Sequence, residues 1–589
     1  MQLQTPNKIT TAHVWALLFF VVTSLIFCRY IFYGVNNWGI LDWDQHFLYH
    51  AVPHRTIMEY HQFPLWNPYY CGGNVMLANP QSNFLSPLFL PELLFGVVIG
   101  LKLEIWLHLL IGMYGMYLIS SRLYKLPPIS SLVPATVFML SGMYSFNLAA
   151  GQTNFMSIAY VPFVYYFFIK GIDDIKYAII SGYFLALMVF EGGTYTVPHT
   201  ALFVVVISLL LAIQQRRLLP LRATLICGIT GCLVSAVKLL PALEFIKMIP
   251  RYTDSADTLT PELLYRILFD RVQYLSIKGF PGQAWGWEEY AHYVGFLPLL
   301  LAIAGILLLY RKEWPLIITG LFFLVLSWGN FSDLSPWNIL HQLPLFKSQR
   351  VPSRFLQMFV FVAAIFSGFA SSKIETFDLH RLTANKFAKK WASLLVIALI
   401  VFIITLDLTS VNSGVFSEAF PHQPPEVHVN DFFRQVVGKD TAMYLGFLEN
   451  RGTIACYEEM HLPTMAIPLT DQMYKNDEAY LVEGAGRADV TSWSPNGVTV
   501  QVNGEGILLL NQNYAPGWRT KEKKDVISYK GVLATHVTRD DKEVTFYYFP
   551  ATFLIGMVVT VSTILTSILL MLKLKNRRPR PLVDKEKKA

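Results

Sequence analysis

The chain has 589 residues, 53% hydrophobic and 15% charged, with a net charge of +7. Soluble domains carry about 25% charged residues, so a soluble core of this size is excluded, as are a disordered chain, a collagen-like fibre and a small disulfide scaffold. A mean hydropathy of +0.41, with 42 Phe, 30 Tyr and 13 Trp, reads as an integral membrane protein with aromatic interfaces.

A spanning helix needs about 20 mostly apolar residues. Candidate runs lie near 12–33, 103–120, 131–148, 155–169, 175–190, 198–213, 221–240, 292–310, 315–328, 354–370, 391–408 and 551–572. The first is too long and too poorly flanked for a signal peptide and reads as a span. The apolar stretch 84–100 contains Pro87 and Pro91, which disfavour a continuous helix. If it does not cross, one side receives Arg122 and Lys125, Lys170 and Lys176, Arg216, Arg217 and Arg222, then Arg311 and Lys312. That side also receives Lys373, Arg381, Lys386, Lys389, Lys390 and the tail from Lys573, with eight basic residues against two acidic. Basic loops mark the cytoplasmic side. The pattern therefore places 84–100 on the outer surface and predicts about twelve spans, with both termini cytoplasmic.

The positive charge is thus a membrane signal rather than a nucleic-acid one, since no recognition module accompanies it. A basic tail directly after an apolar run suits anionic lipid. The five cysteines make no disulfide framework and no metal-ligand spacing; Cys71 and Cys456 alone fall in polar segments.

The expected architecture is an all-α polytopic bundle over 1–410, with a long outer loop at 34–102. A β-rich extracytoplasmic domain at 411–550 precedes a final helix at 551–572 and the tail at 573–589. Within that domain Val498–Val502 alternates, Asn503-Gly504 supplies a hairpin turn, and Ile507–Leu510 follows. Strand-like runs continue to residue 549.

The first outer loop holds Asp42, Asp44, His46, His50, His54, Glu59 and His61 within about twenty residues. Asp42 and Asp44 sit at headgroup depth, where charge is costly and a site is the natural expectation. They suit deprotonation of an acceptor hydroxyl, or a divalent cation such as Mg or Mn held beside a phosphate. Helix-capping loop acids are the plain alternative. His46, His50 and His54 recur every four residues, which aligns them on one helix face, read as solvated in preference to zinc-binding. Glu104, Glu191, Gln152 and Asn154 lie at outer helix ends and would converge on one cavity, unless each merely ends its helix. Arg350 and Arg354 flank Pro352 at a helix start, which suits a phosphate or simple snorkelling to headgroups. Lys347 and the mid-span Lys238 are further cations. Trp285–Tyr293 could stack on a sugar ring or sit in the interfacial aromatic belt.

The run DWDQHFLYHAVPHRTIMEYHQFPLWNPYYCGGNVMLANPQSNFLSPLFLP resembles the first loop of the bacterial YfhO membrane family. HYVGFLPLLLA (292–302), LPLFKSQRVPSRFL (343–356), NYAPGWRT (513–520) and VTFYYFP (544–550) resemble its later landmarks, in order. The resemblance implies a GT-C-type glycosyltransferase in a bacterial cytoplasmic membrane. Its donor would be a sugar on polyprenyl phosphate, its acceptor a cell-envelope polymer or glycolipid, and its essential acid would lie in the first outer loop. On that reading Asp44, with Asp42 and Glu104, serves catalysis by an inverting displacement. Arg350, Arg354, Lys347, Lys238, Glu191 and Gln152 would contact substrate, and Asp44 with Asp42 would hold any metal. A transporter or flippase of a lipid-linked precursor, or a non-catalytic envelope scaffold, is the alternative.

Overall fold

The computed structural model describes residues 11–248, 253, 257–376, 386–436, 443–454, 456, 465–468, 471 and 477–575. Arg381 and the tail beyond Lys575 lie outside them. Among the described residues, six helices are long and apolar enough to cross a membrane: Val97–Leu123, Leu132–Ala149, Thr196–Gln215, Pro352–Thr376, Ala392–Ala419 and Ala551–Leu574. Leu219–Val234 and Ala236–Met248 add a seventh if counted as one span, although they bend by 81° about Ser235. Ala12–Phe27, Ile175–Phe190, Phe296–Leu309 and Trp314–Ser327 are apolar but shorter.

The expected twelve spans are therefore met by six or seven on length and composition. The run at 155–169 divides into a 3-10 segment, Thr153–Tyr160, and an α-helix, Val161–Gly171, with Pro162 in its first turn. At 84–100, two short helices, Pro87–Phe89 and Leu90–Phe95, precede a break at Gly96. Neither is long enough to cross, whereas 97–100 already belong to the next span.

The C-terminal part is β-rich. Gly497–Asn513 is the long central strand, paired antiparallel with Ala479–Ser494 along one edge. On its other edge the first half pairs with Glu543–Tyr548 and the second with Val532–Val537. The expected turn at Asn503-Gly504 is absent, and the hairpin turns at Pro495-Asn496 instead. Gly504 faces Gly486 across the ladder at φ +153°, and a Cβ there would lie 2.2 Å from the Ala485 carbonyl oxygen. Gly504 is required by close backbone approach, not by a turn.

This sheet and the first loop pack on each other, so they share one side of the membrane. Asn496 Oδ1 accepts from the Leu65 and Trp66 amides, and Gln512 Oε1 accepts from the Trp66 indole at 3.1 Å. Trp66 packs edge-on against Trp518 and tilted against Tyr548, which joins the landmark runs WNP and NYAPGW in space. A disulfide links Cys71 to Cys456. It is a single bond rather than a framework, between the two cysteines of polar segments; 385 residues separate them, and no local spacing announces it.

Candidate active site

The helix Trp43–Met58 starts immediately after Asp42. Its start is fixed by the turn at Gly151, where the Asp42 amide donates to the Ala150 carbonyl at 3.0 Å. A Cβ on Gly151 would lie 2.4 Å from the Trp43 nitrogen, and its φ of +94° also favours glycine. Asp42 is thereby held beside Gln152 and the segment Trp287–Glu289.

That neighbourhood is a charge constellation. Arg354 is 4% exposed and Glu289 is 3% exposed, and they pair in a fork. Nε reaches Oε2 and Nη2 reaches Oε1, each at 2.5 Å. Gln152 closes the ring, donating to Glu289 at 3.2 Å and accepting from Arg354 at 3.3 Å. The guanidinium also lies 3.8 Å from the Tyr195 ring. Glu288, next in chain, is half-buried; burial and then the Glu289 charge push its carboxyl up to about 7, with Asp42 adding to the effect and Arg354 opposing it. Arg350 is half-buried too, its guanidinium 4.3 Å from the Trp285 ring.

The sequence-predicted residues thus divide into groups. Asp42, Gln152, Arg354 and Arg350 gather here, whereas Lys347 is exposed in the preceding loop. Asp44 is turned toward the insertion, where its Oδ2 accepts from the Met443 amide and its Oδ1 from the Tyr444 amide, at 2.8 and 3.0 Å. It caps the helix Met443–Leu448. Glu104, Glu191 and Lys238 lie in a second, fully buried cluster, where the Lys238 ammonium donates to the Ser82 and Val189 carbonyls. His46 and His50 are 3% and 1% exposed, contrary to the solvated face expected of them. Burial pushes His46 down to about 3, and it meets Thr153 Oγ1 at 2.6 Å.

Asp42 and Asp44 point to different surroundings. Both Asp44 oxygens are taken by backbone amides, and the described residues close enough to share an ion include neither aspartate. Glu288 and Glu289 are the acids of this constellation that sequence reasoning did not single out. The signal was present: adjacent acids inside an aromatic outer segment, the same argument that singled out Asp42.

A cavity of about 350 Å³ opens between the first loop, the sheet and the bent helix, lined among others by Trp66, Asn74, Glu244, Asn513 and Tyr548.

No protein-family model matches the chain, and no curated protein matches it. Among solved structures it is similar to the arabinofuranosyltransferase AftD from Mycobacteria, at 16% identity and TM-score 0.42, covering 70% of this chain and 27% of that one. It is also similar to the archaeal oligosaccharyltransferase AglB from Archaeoglobus fulgidus, solved with an inhibitory peptide and a dolichol-phosphate. There the identity is 12%, the TM-score 0.42 and the coverage 75% of this chain and 64% of that one. The chain therefore spans about a quarter of the first and under two thirds of the second. Superpositions this loose do not by themselves identify a fold or an activity.

Proposed function

We propose that this membrane protein is a GT-C-type glycosyltransferase that moves a sugar from polyprenyl phosphate to a cell-envelope acceptor on the outer face of a bacterial cytoplasmic membrane. The observation that carries the reading is the half-buried carboxyl pair Asp42 and Glu288 beside the Arg354–Glu289 fork, on the loops read as outer. The Cys71–Cys456 disulfide supports the same side, because such bonds persist in oxidising compartments. Lipid-linked sugars are available there and nucleotide sugars are not.

In an inverting displacement, the acceptor oxygen bonds to the anomeric carbon as the bond from that carbon to the phosphate oxygen breaks. The acceptor proton passes to a carboxylate, and the leaving polyprenyl phosphate keeps the electron pair. Glu288, titrating near neutrality, is matched to that proton, with Asp42 beside it. Arg350, its guanidinium over the Trp285 ring, would meet the phosphate. Arg354 is a positioning residue, since its charge is already matched by Glu289.

One feature favours the flippase reading: a bent helix pair of the kind that builds transport sites, with Lys238 buried just past the bend. Proteoliposomes loaded with an acceptor glycan and a panel of synthetic polyprenyl-phosphate sugars separate the two. Transfer to acceptor supports the enzyme; donor crossing the bilayer with no transfer from any sugar rejects it.

A further inference from the structure

Beneath the active site lies a cluster that the transfer reaction does not use. Glu104 and His108 stand one turn apart on the helix that begins at Val97, so they share a face. Glu191 follows the helix Ile175–Phe190, His50 comes from the first-loop helix, and Glu92 from the short helix Leu90–Phe95. All five are at most 1% exposed. His50 Nδ1 lies 2.7 Å from Glu92 Oε1, and His108 Nε2 lies 3.2 Å from Glu191 Oε1.

These side chains are undersatisfied. Among the described residues, Glu92 Oε2 and Glu191 Oε2 have no hydrogen-bond partner, the Glu104 carboxyl meets only that of Glu92, and His108 Nε2 faces only Glu191. Native interiors rarely leave such groups unpaired, and a buried carboxylate without a counter-charge is costly. Lys238 offers Glu191 a counter-charge through space, but its hydrogen bonds go to the Ser82 and Val189 carbonyls and leave the carboxylate oxygens to other partners. The His108 tautomer sharpens the point. Its Nδ1 meets the Glu104 backbone carbonyl at 3.0 Å, and a carbonyl only accepts, so Nδ1 carries the proton. Nε2 faces the Glu191 carboxylate: protonated it donates there, and neutral it offers an ion the lone pair of a histidine oriented by its other nitrogen.

The geometry is compatible with an ion. His50, Glu92 and Glu104 can each bring one ligand atom within 4.8 Å of the others, and so can Glu104, His108 and Glu191. Glu104 belongs to both groups. We propose that this cluster binds a divalent transition-metal ion through Glu104, His108 and Glu191, with the His50–Glu92 pair closing the site. Two imidazoles with carboxylates suit zinc, manganese or iron, in contrast to the all-oxygen shells of calcium and magnesium. The ion would staple the first-loop helix, the short helix after it and two apolar helices together directly behind the catalytic loops. Thr153 makes the connection: it contacts both His46 and His50, and its neighbour Gln152 holds Arg354 and Glu289.

The test is elemental analysis of the purified full-length protein in detergent. It is run as isolated from zinc-, manganese- and iron-supplemented cultures, and again after chelation and reloading with ZnCl2, MnCl2 or ammonium iron(II) sulfate. About one equivalent of one metal per chain is expected, with a melting temperature that falls on chelation and recovers on reloading. Glu104→Gln and His108→Gln should each lower metal affinity by at least about 10–100-fold, whereas Asp42→Asn keeps its metal. Less than about a tenth of an equivalent of each metal in wild type after reloading overturns the proposal and leaves a proton-bridged carboxyl network. Full metal retention in both cluster variants overturns it equally. The wild-type measurement decides even if the variants fold poorly.

Discussion

Asp44 and Tyr444 are 400 residues apart and are joined by a carboxylate oxygen accepting the backbone amide at 3.0 Å, with Met443 bonded to the other oxygen. The acid expected to be the catalytic base is thus a clamp between the first outer loop and the insertion. Replacing a capping acid by alanine costs about 0.5–2 kcal/mol. Asp44→Ala should therefore loosen the insertion, seen as faster proteolysis, whereas Asp44→Asn keeps one acceptor oxygen and more than about a tenth of transfer activity. Abolished transfer in a stably folded Asp44→Asn variant would return the base role to Asp44.

Glu288 sets the pH dependence. Its carboxyl is pushed up to about 7, by burial first and then by the Glu289 charge. The carboxylate form accepts the proton, so activity should rise about tenfold per unit as pH approaches 7 from below and level off above it. In Glu288→Gln this ascending limb should disappear along with most of the rate. An unchanged limb in the residual activity would exclude Glu288 as its origin.

The Arg354–Glu289 pair makes a stability prediction. Removing one member of a buried pair leaves an uncompensated charge, at about 3–5 kcal/mol. Arg354→Met and Glu289→Met should each lower the melting temperature sharply, and the double variant should recover much of the loss. Arg350→Ala should instead leave the fold intact and weaken donor binding about tenfold or more, as loss of a charged hydrogen bond does. Equal donor affinity in wild type and Arg350→Ala, measured by titration with polyprenyl phosphate, would remove Arg350 from the phosphate site.

The Cys71–Cys456 bond bears on sidedness. Disulfide removal costs typically about 2–4 kcal/mol, and Cys71→Ser should release the insertion to proteases while leaving the spanning helices folded. Peptide mapping under non-reducing conditions should recover the linked pair from membranes. Two free thiols there would contradict the outer placement of both segments.

Local signals in the sequence carried far, and long-range ones did not. Uninterrupted apolar runs announced the spans at 97–123 and 551–574, and period-2 alternation announced Glu543–Tyr548. The bend at Ser235 has no proline at its break, and Lys238 just beyond it reads as a mid-span cation, so the run at 221–240 read as straight. Asn503-Gly504 has turn chemistry, yet the strand opposite needed glycine for its own close approach. Asp42 was legible because an acid at headgroup depth is costly wherever the chain folds. The partner of Asp44 was not, because a backbone amide 399 residues away has no side-chain signature. Glu92 was hidden inside an apolar stretch judged only for whether it crosses.

The central claim is that Asp42 and Glu288 perform sugar transfer. It is tested most directly by single-turnover transfer from a radiolabelled polyprenyl-phosphate sugar, comparing wild type with Asp42→Asn and Glu288→Gln in nanodiscs. Donor binding should survive in both variants, while the transfer rate falls about 10²–10⁴-fold in Glu288→Gln and substantially in Asp42→Asn. Wild-type transfer rates in both variants would contradict the account.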